Sequence, residues 1–312
     1  MIRKSNTILA AAGLFCAGLI CSIIWLGGFS HKAVFLKDVH EFAFADPSLP
    51  ARVVSMAPNI TETVYALGEQ DRLVGVTRFC VYPQEATTLP KVGGFYNPNL
   101  ERLIALRPDL ILLQGRHKKV ARFCETRDIP ILRVDMDSLL TIYEGVEKLG
   151  SAFGVPGQAK LLCDRIRNDL GDIRRRVQDK QRPAVFISLG RTMGSMINLY
   201  TVGGSSFVSQ VLDVAGGRNI FDDVNLPYPE VSKESLIARA PDIILEIYAN
   251  EEISDRQENR ILEEWQAFPG VPAVVNERIH VMTEDFLLVP GPRVVQAARA
   301  FADRIHGGLN GR

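Results

Sequence analysis

Two stretches of the chain repeat each other: Glu101-Arg-Leu-Ile-Ala-Leu-Arg-Pro-Asp-Leu-Ile-Leu112 and Glu234-Ser-Leu-Ile-Ala-Arg-Ala-Pro-Asp-Ile-Ile-Leu245. They align without gaps and are identical at eight of twelve positions. Pro108 and Pro241 each end a helix, because the residue before a proline avoids helical backbone angles. The three residues that end each stretch, Leu110 to Leu112 and Ile243 to Leu245, are all apolar, as in a strand that is buried on both faces of a sheet. The sequence therefore contains two similar units of helix followed by buried strand.

Short apolar runs alternate with amphipathic segments on both sides of this repeat, which predicts parallel sheets covered by helices. A long segment, Pro156 to Gln178, begins with proline at a first-turn position and lies between the two alternating regions. We therefore predict an α/β fold of two lobes, each with a mainly parallel sheet flanked by helices, joined by one long rigid helix. The predicted boundaries are 52–155 for the N-terminal lobe, 156–180 for the linking helix and 181–312 for the C-terminal lobe. Chain length alone leads us to expect two separate cores.

The N-terminus has the arrangement of an export sequence. Arg3 and Lys4 precede an uncharged run of 19 residues from Ile8 to Leu26. That run is longer than the roughly 7 to 15 residues of a cleaved signal core and close to the roughly 20 that span a bilayer. A small-x-small cleavage site stands at Ala43-Phe44-Ala45. Residues 1–45 are thus predicted to be either a cleaved signal peptide or an uncleaved apolar anchor helix with a linker, and the remainder to be exported.

Composition and short motifs argue against several classes of protein. The 36 Lys and Arg residues balance 36 Asp and Glu residues, so no electrostatic attraction to nucleic acid is expected. Cys80, Cys124 and Cys163 allow at most one intramolecular disulfide, and no CxxC or HExxH pattern predicts a metal site. The chain also lacks a GxSxG elbow and a P-loop, and no histidine near Cys80 in sequence would activate it as a nucleophile. An enzyme is therefore not expected.

Six longer motifs follow one another in the chain. They are Arg52-Val-Val-Ser-Met-Ala-Pro-Asn-Ile-Thr-Glu62, Leu73-Val-Gly-Val-Thr77, Tyr82-Pro83, the segment Asn99 to Asp109, Gly216-Gly217 with Asn219-Ile220, and Pro227-Tyr-Pro-Glu-Val-Ser-Lys-Glu234. In this order they resemble the periplasmic binding proteins that serve importers of cobalamin, ferric siderophores and haem. The similarity is greatest to the cobalamin-binding branch, in which the last motif also reads Pro, aromatic, Pro, acidic or amide, Val, Ser. The resemblance implies two lobes joined by one helix, with a ligand in the cleft between them.

Ligand-binding positions can be predicted in two ways. Loops beyond the carboxyl ends of strands nominate Arg78, Phe79, Gln114, Arg116, Arg191 and Asp285. The resemblance implies Phe79, Phe95, Tyr228 and Asp285, with Tyr96 and Phe286 as neighbours. Aromatic faces suit a flat macrocycle, and the alternative is that these rings pack in the lobe cores.

The predicted ligand is a corrinoid, with alternatives left open. The resemblance leads us to expect tryptophan where this chain has Gln114. In addition, Arg78, Arg116 and Arg191 would equally suit an anionic ferric siderophore or the propionates of haem.

The resemblance also implies partners. Glu101 and Glu234 stand at positions where such proteins dock on arginines of an ABC permease, although a carboxylate is favoured in the first turn of any helix. We therefore expect an extracytoplasmic, monomeric solute-binding protein that delivers its ligand to a permease and its ATPase subunits, without an intrinsic cofactor. A membrane-anchored sensor that uses the same fold is the other interpretation.

Overall fold

The computed structural model of the protein describes residues 49–191, 196 and 198–308. Its strands are β1 (Val53–Ser55), β2 (Leu73–Val76), β3 (Leu110–Leu113), β4 (Ile131–Arg133), β5 (Ala184–Gly190), β6 (Leu199–Thr201), β7 (Arg218–Asn219), β8 (Glu230–Val231), β9 (Ile243–Ile247) and β10 (Ile279–Met282). Its α-helices are α1 (Pro58–Ala66), α2 (Leu100–Ala105), α3 (Lys118–Glu125), α4 (Leu139–Ala152), α5 (Pro156–Val177), α6 (Phe207–Val214), α7 (Lys233–Arg239), α8 (Asp255–Trp265), α9 (Pro272–Val275) and α10 (Val294–His306). The predicted export or anchor segment, residues 1–45, lies outside the described residues. Within the described ranges, no helix is both long and apolar enough to cross a membrane.

The first sheet consists of four parallel strands in the order β2-β1-β3-β4. All four residues of β3 are buried, and so are all three of β1. Alternate side chains of a strand point to opposite faces, so such strands need a cover of apolar side chains on both faces. Two distinct hydrophobic clusters supply this cover, which explains why β3, Leu110–Leu113, carries no polar residue.

The second sheet is mixed. Its strand order is β10-β9-β5-β6-β8, and β7 pairs with the start of β5. Strands β5, β9 and β10 run parallel, whereas β6 is antiparallel to both β5 and β8. The centre of the sheet therefore follows the predicted parallel pattern, and its antiparallel edge is an addition that the apolar pattern did not predict.

Helix α5 spans 22 residues and lies in sequence between the two sheets. It begins with Pro156, whose missing N–H costs nothing in the first turn of a helix. Its buried stripe, Leu162, Ile166, Leu170 and Ile173, packs between α4 and α10. This stripe belongs to a hydrophobic cluster that contains residues of both sheets, so the two sheets share a core. Within the described ranges, the other face of each sheet has a core of its own.

The sequence repeat is also a structural repeat. Asn99 accepts a hydrogen bond from the Arg102 amide and caps α2, and Ser232 does the same for the Ser235 amide of α7. Both helices end in a left-handed residue, Arg107 with φ 47° and Ala240 with φ 43°.

An aspartate then ties each repeat to its sheet. The Asp109 carboxylate accepts the amides of Ala51 and Arg52 at 2.8 and 2.9 Å, just before β1. The Asp242 carboxylate accepts the amide of Ala184 at 2.8 Å, at the start of β5. These bonds fix the start of β3 beside β1 and the start of β9 beside β5, so the two repeats hold equivalent places in their sheets.

Candidate functional site

Polar side chains form a chain of hydrogen bonds at the carboxyl edge of the first sheet. Gln114 directly follows β3, and its side-chain amide donates to the Asp137 carboxylate at 3.1 Å. Asn59, in α1, donates to the Gln114 side-chain oxygen at 3.0 Å. Both functional ends of Gln114 are thus held by neighbours, while Arg116 points into solvent two residues later. This edge presents an oriented amide, a carboxylate and an exposed cation.

Aromatic rings stand beside this polar chain. Phe95 meets Tyr96 edge to face at 5.2 Å between ring centroids, and it meets the His117 ring at 5.1 Å. His117 donates from Nε2 to the Phe95 carbonyl oxygen and accepts the Val120 amide at Nδ1, so it caps α3 and holds the Phe95 loop. Tyr96 is 90% exposed, which leaves one whole ring without cover.

Phe79 joins the same group of rings from the loop after β2. It is half exposed, and the Arg78 guanidinium lies 4.8 Å from its ring centroid. A Cβ atom at Gly94 would stand 3.4 Å from the Phe79 ring, an ordinary contact distance, so the ring lies directly against the Phe95 loop. Phe79, Phe95 and Tyr96 therefore form one aromatic patch at the carboxyl edge of the first sheet.

Tyr228 brings a ring from the other sheet's side of the molecule. It lies in the loop before β8 and is half exposed. Burial of its hydroxyl and the negative charge of Asp137 raise the pKa of Tyr228. The Tyr228 hydroxyl is thus within electrostatic reach of the carboxylate that binds Gln114. Gln114 and the aromatic patch therefore lie at the carboxyl edge of the first sheet, and Tyr228 and Gln114 both have Asp137 as a neighbour.

Asp285 and Phe286 belong to a second group of residues, which we call the Arg293 cluster: Glu62, Tyr82, Asp285, Phe286 and Arg293. The Arg293 guanidinium donates to both Glu62 oxygens at 2.8 and 2.6 Å and to both Asp285 oxygens at 2.8 and 2.9 Å. It also lies 3.8 Å from the Tyr82 ring centroid and 5.7 Å from that of Phe286. Arg293 therefore already binds both oxygens of Asp285, and about a third of the Asp285 side chain remains exposed and accessible to a ligand.

The Arg293 cluster connects the two halves of the molecule, since Glu62 lies in α1 and Arg293 directly precedes α10. Burial of the Glu62 carboxyl raises its pKa, and the hydrogen bonds and charge of Arg293 only partly oppose that effect. Burial alone would lower the pKa of Arg293, but its two carboxylate partners outweigh burial and raise it. A crevice of about 430 Å³ opens beside this cluster and is lined by α1, α5 and α10. It lies along the linking helix rather than at the aromatic patch.

Arg191 lies in a third place. Its side chain is fully buried, and it binds Glu246 at 2.8 Å and also Glu264. Glu246 further accepts the Tyr248 hydroxyl at 2.9 Å and the Trp265 indole N–H, and burial raises its pKa. Arg191 was expected to contact the ligand, but its side chain has no exposed surface in this structure. Arg191 follows the end of a strand, as expected, but its guanidinium forms an ion pair with the buried Glu246 carboxylate.

Glu101 and Glu234 occupy matching places in the first turns of α2 and α7, and both are exposed. The pKa of Glu234 is lowered by hydrogen bonds from its own amide and from the Ser232 side chain. Both residues therefore present carboxyl groups at the surface of equivalent helices.

Comparison with known proteins decides the family. A family model described as periplasmic binding protein matches residues 53–286, which include both sheets and α5. The chain belongs to the periplasmic binding protein family. The α/β fold with parallel strands that the sequence predicted is confirmed by solved structures of this family.

This periplasmic binding protein aligns with its relatives over most of its length. The vitamin B12-binding protein of Pectobacterium atrosepticum is 30% identical over 266 residues, which are 83% of this chain and 89% of that relative. The periplasmic vitamin B12 binding protein of Vibrio cholerae is similar in structure with a TM-score of 0.69 at 26% identity, covering 84% of this chain and 99% of the other. A periplasmic heme binding protein from Pseudomonas aeruginosa gives 0.71 at 26% identity, covering 83% and 94%. These relatives are substrate-binding transport proteins, and they work outside the cytoplasm.

Two residues of this periplasmic binding protein escaped prediction as site residues, Glu62 and Arg293. The sequence did contain a signal, because Glu62 is the only charged residue in α1, where six consecutive residues from Asn59 to Val64 are buried. A buried carboxylate needs a partner of opposite charge. That partner is 231 residues away and could not be named from spacing alone.

The three cysteines have no disulfide role among the described residues. Cys80, Cys124 and Cys163 are buried free thiols. Thr61 donates to the Cys80 sulfur at 3.2 Å, and burial raises the Cys80 pKa. Cys80 is therefore held as a protonated core residue.

Proposed function

We propose that this periplasmic binding protein binds a corrinoid and delivers it to the permease of an ABC importer. The observation that carries the proposal is the aromatic patch of Phe79, Phe95 and Tyr96, together with the half-exposed Tyr228 from the second sheet's side. Each aromatic ring can bury 150 to 250 Å² with few rotatable bonds to fix, so several such rings suit a broad, rigid macrocycle. The vitamin B12-binding relatives support this choice of ligand. The proposed site is the cleft between the two lobes.

The polar chain fits the rim of such a ligand. Amide side chains surround a corrin ring, and the Gln114 amide and the Asp137 carboxylate offer a donor and an acceptor that are already oriented by Asn59. Preoriented partners lose little entropy when a ligand binds. Asp285 is the corresponding acceptor beside Phe286, fixed by Arg293.

A specific observation favours haem or a ferric siderophore as the second candidate. Arg78 and Arg116 are exposed at the same edge, and Arg78 stacks on Phe79. Guanidinium groups bind carboxylates with two hydrogen bonds, as haem propionates would allow. The similarity to a periplasmic heme binding protein is in line with this alternative.

Ligand titration tests the proposal. The purified chain is titrated with cyanocobalamin, cobinamide, haemin and a ferric hydroxamate, and both absorbance and melting temperature are recorded. A ligand that binds the folded state raises the melting temperature. We expect cyanocobalamin and cobinamide to do so and the other two to have no effect. A shift with the iron compounds alone would contradict the corrinoid assignment.

Two variants locate the site. Tyr228→Ala and Tyr96→Ala should each weaken corrinoid binding by roughly tenfold, because each removes a stacking ring worth about 1 to 2 kcal/mol. Tyr143→Ala is the matched control, because this tyrosine stacks on Arg167 of α5 instead. An equal loss of affinity in all three variants would contradict the proposed site.

Glu101 and Glu234 are proposed to dock the protein on basic residues of the permease. Exposed charges of one sign steer an encounter and orient it more than they deepen affinity. Replacing both by Gln should abolish uptake while corrinoid affinity stays unchanged. Loss of corrinoid binding would contradict the docking role.

An uncleaved N-terminal segment would favour the alternative of a membrane-anchored sensor. The mass of the mature protein isolated from cells distinguishes cleavage near Ala45 from retention of Ile8–Leu26. We expect export in either case.

A further inference from the structure

The repeated stretches keep some identical residues for reasons inside the fold. Leu103 and Leu236 are fully buried, so each must be apolar to pack its helix on its sheet. Asp109 and Asp242 bind the amides that precede or begin the neighbouring strands. The identical strand residues are buried as well. Packing and strand alignment therefore account for most of the repeat.

Three pairs of identical residues have no such explanation, and one of them, Ala105 with Ala238, is exposed but small. Glu101 and Glu234 are exposed, and Ile104 and Ile237 are 41% and 49% exposed. Single exposed apolar side chains are ordinary on a protein surface. Here, however, the same apolar residue is exposed at the same place in both repeats, next to the same carboxylate. The repetition points to a shared task at the surface.

Helix geometry puts each glutamate beside its isoleucine. Residues three apart on a helix are neighbours on one face, with Cβ atoms about 5 to 6 Å apart. The two helices have matching N-caps at Asn99 and Ser232, so each face starts from an equivalent position. We call these two surfaces the docking pads: Glu101 with Ile104 on α2, and Glu234 with Ile237 on α7.

We propose that Ile104 and Ile237 are the apolar contacts through which the two docking pads bind a membrane permease made of two identical subunits. This inference rests on the proposed function. A solvent-exposed carboxylate adds little affinity by itself, whereas an isoleucine half exposed in the free protein gains by losing contact with water. The glutamate sets orientation, and the isoleucine supplies binding free energy.

The presence of two equivalent docking pads indicates what kind of partner they bind. A two-fold dimer presents the same surface twice, so it can meet two equivalent pads on a single chain at once. The carboxylates require basic residues on that surface. A second copy of this chain would set glutamate against glutamate, and an anionic lipid surface would repel both pads. A basic, two-fold symmetric membrane protein is the occupant that the charges favour.

The test measures binding of the purified chain to the cobalamin permease and ATPase complex of the same organism in nanodiscs. Ile104→Ser and Ile237→Ser should each weaken binding roughly tenfold, and the double variant should weaken it roughly a hundredfold if the pads act independently. Leu161→Ser is the matched control, because Leu161 is 67% exposed on α5, away from both pads. Cyanocobalamin affinity and melting temperature should stay unchanged in all four variants.

The salt dependence of binding distinguishes the charged contacts of the glutamates from the apolar contacts of the isoleucines. Raising the salt concentration should weaken binding of the wild-type and isoleucine variants in parallel, since exposed charges are screened. The Glu101→Gln, Glu234→Gln double variant should lose that salt dependence.

Each other outcome overturns a defined part of the inference. Isoleucine variants that bind the complex like wild type, while the glutamate variant does not, refute the apolar contacts and leave the proposed function standing. An effect at one isoleucine only refutes the two-fold arrangement. A wild-type chain that binds cyanocobalamin but not the complex refutes the pads as a whole, and a chain that binds neither refutes the proposed function itself.

Discussion

Replacing Arg293 by methionine tests the most heavily buried charges that connect the two halves. Methionine keeps much of the volume of arginine and removes its charge. Glu62 and Arg293 are only 3% and 7% exposed, so solvent screens their interaction little. Removing one partner of a buried ion pair costs about 3 to 5 kcal/mol, because the remaining charge stays buried without compensation. Asp285 is 31% exposed and can regain water, so it should add little to the loss. We expect Arg293→Met to lose about 3 to 5 kcal/mol of unfolding free energy near pH 7.5.

The loss should depend on pH with a defined sign. The pKa of Glu62 is raised in the folded protein, so the folded state holds that proton more tightly than the unfolded state does, and the associated stability is lost as pH rises. Arg293→Met removes the hydrogen bonds and charge that lower this pKa, so the raised pKa rises further. The difference in unfolding free energy between variant and wild type should therefore shrink at about pH 5, by up to about 1.4 kcal/mol for each pH unit in which Glu62 is protonated only in the folded variant.

Urea unfolding of both proteins at the two pH values measures this difference. The double variant Glu62→Gln, Arg293→Met is the control, because it leaves no buried charge at these two positions and should recover much of the loss near pH 7.5. A loss below about 1 kcal/mol, or an equal loss at both pH values, would show that Glu62 is not held as a buried ion.

Two further predictions concern the repeat and the thiols. Leu103→Ala and Leu236→Ala should each cost about 2 to 5 kcal/mol in urea unfolding, because both leucines are fully buried at equivalent places, and a large disparity between them would contradict the structural repeat. Cys80, Cys124 and Cys163 should react with Ellman's reagent slowly in the folded protein at pH 8 and at once in urea, because burial raises the pKa of each thiol, that of Cys124 to about 11. Rapid labelling of the folded protein would indicate that a thiol is accessible.

The local sequence pattern was sufficient to predict the strands at the centre of each sheet. The buried runs of β3 and β9 and the long amphipathic helix α5 were predicted within a few residues, because apolar periodicity and proline mark them. The edge strands β6 and β8 were missed, because two or three residues carry no period and their pairing depends on a partner 30 residues away. The left-handed Arg107 and Ala240 were missed as well, since glycine is the usual signal for that conformation.

The sequence indicated where several predicted site residues lie in the fold, but it did not indicate the direction of their side chains. Gln114, Phe79 and Phe95 lie at the carboxyl edge of the first sheet, as their places after strands or before a repeat suggested. Arg191 also follows a strand, yet it turns inward to Glu246. The polar residue in the otherwise apolar strand β9 was the clue to that partner. Their roles in binding, and the roles of Tyr228 and Asp285, stay predictions.

The ion pair of Glu62 and Arg293 also constrains the order in which the molecule can be completed. A chain is synthesised from its N-terminus, so α1 is made long before the residues that follow Pro292. Until those last residues arrive, the helix must carry its carboxylate in water or protonated, and its burial is postponed. This contact between the two halves therefore forms only after almost the entire polypeptide has been made.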